Sequence, residues 1–228
     1  MKKHLIRSAF LDTVPVMTGY VFLGFGFGIL MQQNGYGILW AAAMSLFIYA
    51  GSMQYVAITL LSGGTNILTI ALTTFVVNAR HLFYGISMVE HYKGIGRKKP
   101  YLIFALTDET YSLVSQKQFS DKVHYHNYCF WVSLFDHCYW VCGTILGSLF
   151  GSLLPINYEG IDFVLTALFV TIFVEQWLST EDHSMALTGL LGSALCLVIF
   201  GAENFLIPSM MLITVVLSLM RKRKEAAA

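Results

Sequence analysis

The chain has 228 residues, of which 56% are hydrophobic and only 12% charged, with a mean hydropathy of +0.65. A soluble domain carries about 25% charge, so this composition excludes a soluble enzyme or binding module and indicates a single membrane domain. The net charge of +1 says nothing of partners. Apart from Arg221-Lys222-Arg223-Lys224, which reads as a cytoplasmic anchor, no basic tract of the kind that follows nucleic acid occurs.

The start, MKKHLIRSAFLDTVP, has the basic end of a secretory signal. Asp12 and Pro15 interrupt the apolar run that should follow, so no cleavable signal is expected. Seven stretches of roughly spanning length are predicted: 14–31, 38–61, 66–90, 128–151, 161–180, 184–201 and 204–220. The first carries Gly19, Gly24, Gly26 and Gly28, small residues that let another helix approach closely. The second contains Tyr49-Ala50-Gly51-Ser52-Met53-Gln54. Gly-Ser pairs are places where a membrane helix kinks or unwinds and offers its backbone to a ligand.

In the third stretch, residues 67–89 contain no Asp, Glu, Lys, Arg or His other than Arg80 and His81. A guanidinium cannot shed its charge, and placing one in hydrocarbon costs about 2.5–3.5 kcal/mol even on the most lenient scale. Thr74, Asn78, His81 and Gly85 form one polar and small stripe, with Arg80 and Tyr84 as a neighbouring i,i+4 pair. Either Arg80 binds an anionic group such as a substrate carboxylate, or it snorkels toward the interface near Glu90 or pairs structurally with an acid. The candidate substrate contacts are Arg80, Asn78, His81 and Tyr84 with Tyr49, Ser52 and Gln54.

Residues 101–119 begin apolar and turn polar at Thr107-Asp108-Glu109-Thr110. They are too short and too charged for a comfortable span and are predicted to form a half-helix or re-entrant piece, tolerated only under cover of protein or water. Thr107 suits an N-cap, with both acids in the first turn where the helix dipole favours them. The alternative is a proton or cation site, because a buried carboxylate can load and release a proton near neutrality. Asp136-His137 and Glu175-Gln176 put further acids at membrane depth, each a counter-ion for Arg80 or another protonation site. His124-x-His126 with Cys129 hints at a metal but lies at a span entrance, and no metal site or cofactor is assigned. Cys138 and Cys142 share a helix face without a zinc or redox signature, and the four cysteines read as packing residues.

Gly24-x-x-x-Gly28, the Asn34-Gly35 turn and a helix reaching Gln54 recur as Gly147-x-x-x-Gly151, a turn at Glu159-Gly160 and a helix reaching Gln176. This echo suggests two inverted three-span repeats, about 14–90 and 128–201, with a linker over 91–127 and a final helix. With residues 101–119 not crossing, Lys93, Arg97, Lys98, Lys99, Lys117 and Lys122 fall on the side of the C-terminal bases, opposite Lys2, Lys3 and Arg7. That puts the N-terminus outside, against the pull of its own basic residues. The fold class expected is an all-α polytopic membrane protein of about seven transmembrane helices plus the half-helix.

Neither His-Glu-x-x-His nor Gly-x-Ser-x-Gly occurs, which argues against an intramembrane enzyme. A channel or the permease subunit of an ATP-driven importer is the rival reading, although the 91–100 loop makes a poor coupling helix. Four motifs in order, Gly24-Phe25-Gly26-Phe27-Gly28, Tyr49-Ala50-Gly51-Ser52-Met53-Gln54, Asn78-Ala79-Arg80-His81-x-x-Tyr84-Gly85 and Leu106-Thr107-Asp108-Glu109, resemble the AzlC/YgaZ family of branched-chain amino-acid exporters across the whole chain. The resemblance implies export of leucine, isoleucine, valine and methionine from a prokaryotic cytoplasm. It also implies a small membrane partner of the AzlD/YgaH type with about four spans; whether copies of the chain also associate stays open. On that reading Asp108, Glu109, Asp136 and Glu175 are the candidates for proton coupling.

Overall fold

The computed structural model describes residues 2–117, 119, 121–153 and 163–227, with Glu175, Gln176 and several other residues given by backbone alone. Among them there is no strand, and nearly every residue outside the turns is helical. The helices are α1 (Lys2–Gln33), α2 (Ile38–Phe47), α3 (Gly51–Ser62), α4 (Ile67–Val77), α5 (Ala79–Met88), α6 (Lys99–Phe104), α7 (Asp108–Gln116), α8 (Lys122–Leu153), α9 (Phe163–Ser179), α10 (Ser184–Asn204) and α11 (Leu206–Ala227). They form two compact units, Met1–Ile70 with Val77–Val164, and Ala71–Val76 with Leu165–Ala228.

The first unit is built on α1 and α8, which run parallel along their lengths. Phe10 meets Phe135, Tyr20 meets Trp140, and Phe25 meets Phe150 in the same order along both helices. Glycines allow the approach. A Cβ on Gly24 would sit 2.8 Å from the Trp140 carbonyl oxygen, and one on Gly143 would sit 2.7 Å from that of Val21. At Gly28 and Gly147 the opposing backbone would be overlapped outright. Gly19, in contrast, faces open space. Buried polar side chains of this unit include Thr13, Ser45, Gln54, Asp136, Thr144 and Ser148, while Phe22, Leu39, Ile67 and Phe83 lie on the outside. Apolar residues outside and polar residues inside suit a protein surrounded by lipid.

The predicted span 38–61 departs from expectation. It is a hairpin of two short helices that enters and leaves at one end of α1. Its inward limb reaches mid-depth, where Ser45 bonds to Thr144 and the Tyr49 ring packs at 4.3 Å on His137. Its outward limb returns until Ser62 donates to Asn34 at the end of α1. The turn is at Tyr49, a non-glycine residue with φ +47, a conformation held only where surrounding contacts impose it. The Gln54 side chain reaches back to accept the Ala50 N–H and donates to Ser45 across the hairpin, which is why one long apolar run does not continue as one helix.

Residues 99–116 form a second hairpin, entering from the opposite end. Lys98 bonds to Asn127 and Tyr101 to His137 on the way in; Thr110 bonds to Asp136 and Tyr125 to the Val114 carbonyl on the way out. The segment thus leaves by the end at which it enters. Thr107 caps α7 by accepting the Thr110 N–H. The tips of the two hairpins touch where Tyr49 meets Phe104. Between the hairpins, α4 and α5 together make one passage bent by 43°, with Asn78 at the break.

A single passage between α1 and α8 explains their parallel course. Two inverted three-span repeats would make them antiparallel, so that arrangement does not describe this unit. The N-terminus also lies at the same end as the 91–100 loop: Leu5 and Ile6 share a cleft with Lys98 and Asn127, and Lys117 pairs with Asp12 at 2.6 Å. The start of α1, with Lys3 and Arg7, therefore lies at the same end as Lys93 through Lys122, which overturns the predicted placement of these two groups of bases on opposite sides.

Among the described residues, three helices are long and apolar enough to cross a membrane, Lys3–Gln33, Lys122–Leu153 and Ser184–Gly201, and the bent pair Ile67–Val77 with Ala79–Met88 makes a fourth. In the second unit α10 packs against α11, with Gly192 close to Ile213, and α10 breaks at Gly201, φ +74. The Trp177 ring stacks at 3.9 Å on His183. The Glu159-Gly160 turn lies outside the described residues.

Candidate functional site

Three chain breaks converge in the first unit. Arg80, in the first turn of α5, extends its guanidinium to two other helices: Nη1 meets Asp108 Oδ2 at 2.6 Å and Nη2 donates to Ser52 Oγ at 2.8 Å. Ser52 lies in the first turn of α3 and Asp108 opens α7. The motifs of residues 49–54, 78–85 and 106–109 thus meet through one side chain. The counter-ion of Arg80 is Asp108, adjacent to it in the fold. It is not Asp136, which bonds to Thr110 instead; the side chain of Glu175 lies outside the described residues.

The pair is half-buried, and it leaves valences unused. Arg80 Nε, Asp108 Oδ1 and Asn78 Oδ1 are buried without hydrogen-bond partners. Buried polar atoms ordinarily find partners, so three unpaired ones around a single ion pair mark a place that a polar ligand or water completes. His81 turns its Nδ1 to the Asn78 carbonyl and presents its ring edge to Tyr84. Tyr84 stacks on Tyr111 of α7 at 4.6 Å. Asn78, His81 and Tyr84 therefore flank the ion pair, as their helix positions predicted.

Two of the predicted contacts have other occupations. Gln54 accepts from Trp140 Nε1 at 3.0 Å and from the Ala50 N–H, and donates to Ser45. Tyr49 lies among His137 and Phe104 at the hairpin tips, its hydroxyl unpartnered. Both shape the hairpin that carries Ser52.

A second polar cluster borders the first. Glu109, next to Asp108, accepts from Tyr20 Oη at 2.6 Å; Tyr20 also meets Thr107 Oγ1 at 2.7 Å. Thr107 contacts Thr110, and Thr110 contacts Asp136. Sequence reasoning missed Tyr20, Trp140 and the contact of Thr110 with Asp136. A phenol in the glycine-rich first span was the one available signal for Tyr20.

A helical, multi-pass membrane protein with an internal ion pair at the meeting of broken helices is the class that fold and site define. The chain belongs to the AzlC family: the model described as "AzlC protein" matches residues 15–154, which contain every residue of both clusters. It is 45% identical to the "Branched-chain amino acid transport protein AzlC" of Bacillus subtilis (strain 168), over 97% of this chain and 87% of that one. It is 39% identical to an "Uncharacterized membrane protein" of Helicobacter pylori (strain ATCC 700392 / 26695), over 96% of both. It is 28% identical to the "Inner membrane protein YgaZ" of Escherichia coli (strain K12), over 86% of this chain and 81% of that one. No solved structure matches the chain.

Proposed function

We propose that the chain is a secondary transporter that exports leucine, isoleucine, valine and methionine across a prokaryotic cytoplasmic membrane, coupled to protons and working with a small AzlD/YgaH-type membrane partner. The observation that carries this reading is the Arg80–Asp108 pair with its unused atoms. An amino acid is a zwitterion, and a fixed cation beside a fixed anion is its electrostatic complement. Arg80 with Ser52 takes the carboxylate; Asp108 with Asn78 Oδ1 takes the ammonium. His81 and Tyr84 border the space, and Tyr49 and Gln54 hold the hairpin that carries Ser52. The names of the relatives support the substrate class, and Glu109, Asp136 and Glu175 complete the set of acids for proton coupling.

The bases of the first unit other than Arg80 gather at the N-terminal end of α1 and α8, which makes that end cytoplasmic.

The test is uptake of labelled leucine by proteoliposomes containing the chain with its partner. Saturable flux that is lost in Arg80→Ala, with the variant still folded, is the expected result. Unchanged saturable flux in that variant ends the carboxylate assignment, and flux that neither saturates nor counter-exchanges favours a channel.

A further inference from the structure

Glu109 and Asp136 are joined by an unbroken row of hydroxyls. Glu109 Oε2 lies 2.6 Å from Tyr20 Oη, Tyr20 Oη 2.7 Å from Thr107 Oγ1, Thr107 Oγ1 3.0 Å from Thr110 Oγ1, and Thr110 Oγ1 2.8 Å from Asp136 Oδ2. Each of these four contacts is a hydrogen-bond distance and needs one proton. Each hydroxyl brings a single proton, so three hydroxyls supply three. With both acids ionised, one gap in the row would hold two oxygens and no hydrogen. A proton on either carboxyl supplies the fourth. The Thr110 N–H caps Thr107 from beside the row and fills its remaining lone pair.

We propose that Tyr20, Thr107 and Thr110 form a proton relay that shares one proton between Glu109 and Asp136. The proposal deepens the reading of the chain as a proton-coupled carrier and rests on it for its use in transport. When Glu109 carries the proton, every O–H in the row points toward Asp136. The Glu109 proton passes to Tyr20, that of Tyr20 to Thr107, that of Thr107 to Thr110, and that of Thr110 to the Asp136 carboxylate. Each oxygen gains one proton as it loses one. The row ends with every O–H pointing toward Glu109, all four contacts again filled, and the reverse step restores the start.

The surroundings fit one shared charge. Asp136 is fully buried, and its Oδ1 has no hydrogen-bond donor, a setting in which a permanent carboxylate is costly. The charged groups facing Glu109 are Arg80 and Asp108, which pair with each other. Facing Asp136 are Glu109 itself and the neutral phenols of Tyr20, Tyr49, Tyr101, Tyr128 and Tyr139, and His137 turns its nitrogens to Tyr101 and the Ser45 carbonyl. Arg80, the cation among these neighbours, is engaged by Asp108, so it does not hold both acids ionised. Because Glu109 adjoins Asp108 in α7, the relay links the zwitterion site to a group deep on α8.

Infrared difference spectra of the purified protein in nanodiscs at neutral pH, together with flux measurements, test the relay. The wild type should show a protonated-carboxyl C=O band that is lost in Glu109→Gln and lost equally in Asp136→Asn. In each variant an amide N–H takes the place of the carboxyl O–H, so one substitution at either end removes the need for the proton. A band that survives either substitution, or that the wild type lacks, overturns the proposal. In proteoliposomes, Thr110→Val should lose leucine flux driven by a pH gradient and Thr110→Ser should restore it; driven flux in Thr110→Val equal to wild type also overturns it. If wild-type leucine exchange ignores pH gradients altogether, proton coupling falls, and the spectra still decide whether the shared proton exists.

Discussion

Arg80 and Asp108, 2.6 Å apart, each stand in the first turn of a helix that begins at a break in the chain, and the helix dipole treats them oppositely. An anion in the first turn is stabilised, whereas a cation there meets the positive end of the helix. Arg80 is therefore held at α5 against its own helix, by Asp108 and Ser52. Removing Asp108 leaves a half-buried guanidinium with one neutral partner. Asp108→Asn and Arg80→Gln should each lower stability by about 1.5–3 kcal/mol, the worth of a hydrogen bond to a charged group. The double variant should lose less than the sum of the two, by about 0.5–3 kcal/mol of coupling. Thermal unfolding of the four proteins in detergent gives the cycle; strict additivity would mean the pair contributes nothing to the fold.

The contact of α1 with α8 depends on particular glycines. At Gly143 a methyl group would lie 2.7 Å from the Val21 carbonyl oxygen and 2.9 Å from its Cα, both backbone atoms that cannot turn aside. Gly143→Ala should cost about 1–3 kcal/mol through forced separation of the helices. Gly19→Ala has nothing within 4 Å and should be neutral or stabilising, by up to about 1 kcal/mol of helix propensity. Equal unfolding temperatures for the two variants would show that the close approach does not limit stability.

What was legible in the sequence follows from the price of polarity in a membrane. Arg80 announced a partner because its charge cannot be removed, Gly51-Ser52 marked a real break, and Thr107 capped α7 as its position among acids required; the break at Asn78 was not foreseen. The path of the chain was not legible. A lipid-facing helix is apolar on all sides, so residues 38–61 look the same whether they cross or turn back. The turn at Tyr49 depends on Gln54 and Trp140, 86 residues apart, and on Ser45 and Thr144, 99 apart; no local pattern encodes such pairings. Tyr20 and Glu109 are likewise 89 residues apart.

Outside the spans, Asp121 at the start of α8 accepts the Val123 N–H at 3.1 Å and faces His124 Nδ1 at 2.5 Å. The backbone N–H first, and His124 second, hold its carboxyl below the ordinary value of 3.8. A lowered folded-state value means that the ionised form stabilises the fold above the ordinary value and that this contribution fades as the pH falls through the lowered one. The advantage of wild type over Asp121→Ala in thermal unfolding should therefore be constant from pH 7 down to about pH 5 and shrink only in stronger acid. An advantage that persisted unchanged into strong acid would rule out the ionised carboxylate as its source.

Gln54 tests whether the first hairpin is held at its tip. Its Oε1 takes the Trp140 indole N–H at 3.0 Å and the Ala50 N–H at 3.2 Å, and its Nε2 reaches Ser45 Oγ at 3.2 Å; the side chain is fully buried. Leucine at this position is of similar volume but strands two buried donors, at about 1–3 kcal/mol each. Glutamate keeps the acceptor atom that both donors use and loses only the bond to Ser45. Gln54→Leu should therefore unfold at a lower temperature than wild type and expose the tip, which limited proteolysis or labelling of a cysteine placed at Ser52 would report as faster reaction. Ser52 is the anchor of the Arg80 Nη2, so leucine flux should fall with hairpin order even though Gln54 does not touch the ion pair. If flux drops while the labelling rate stays at the wild-type value, Gln54 acts on the substrate directly and the hairpin tip is held by other contacts.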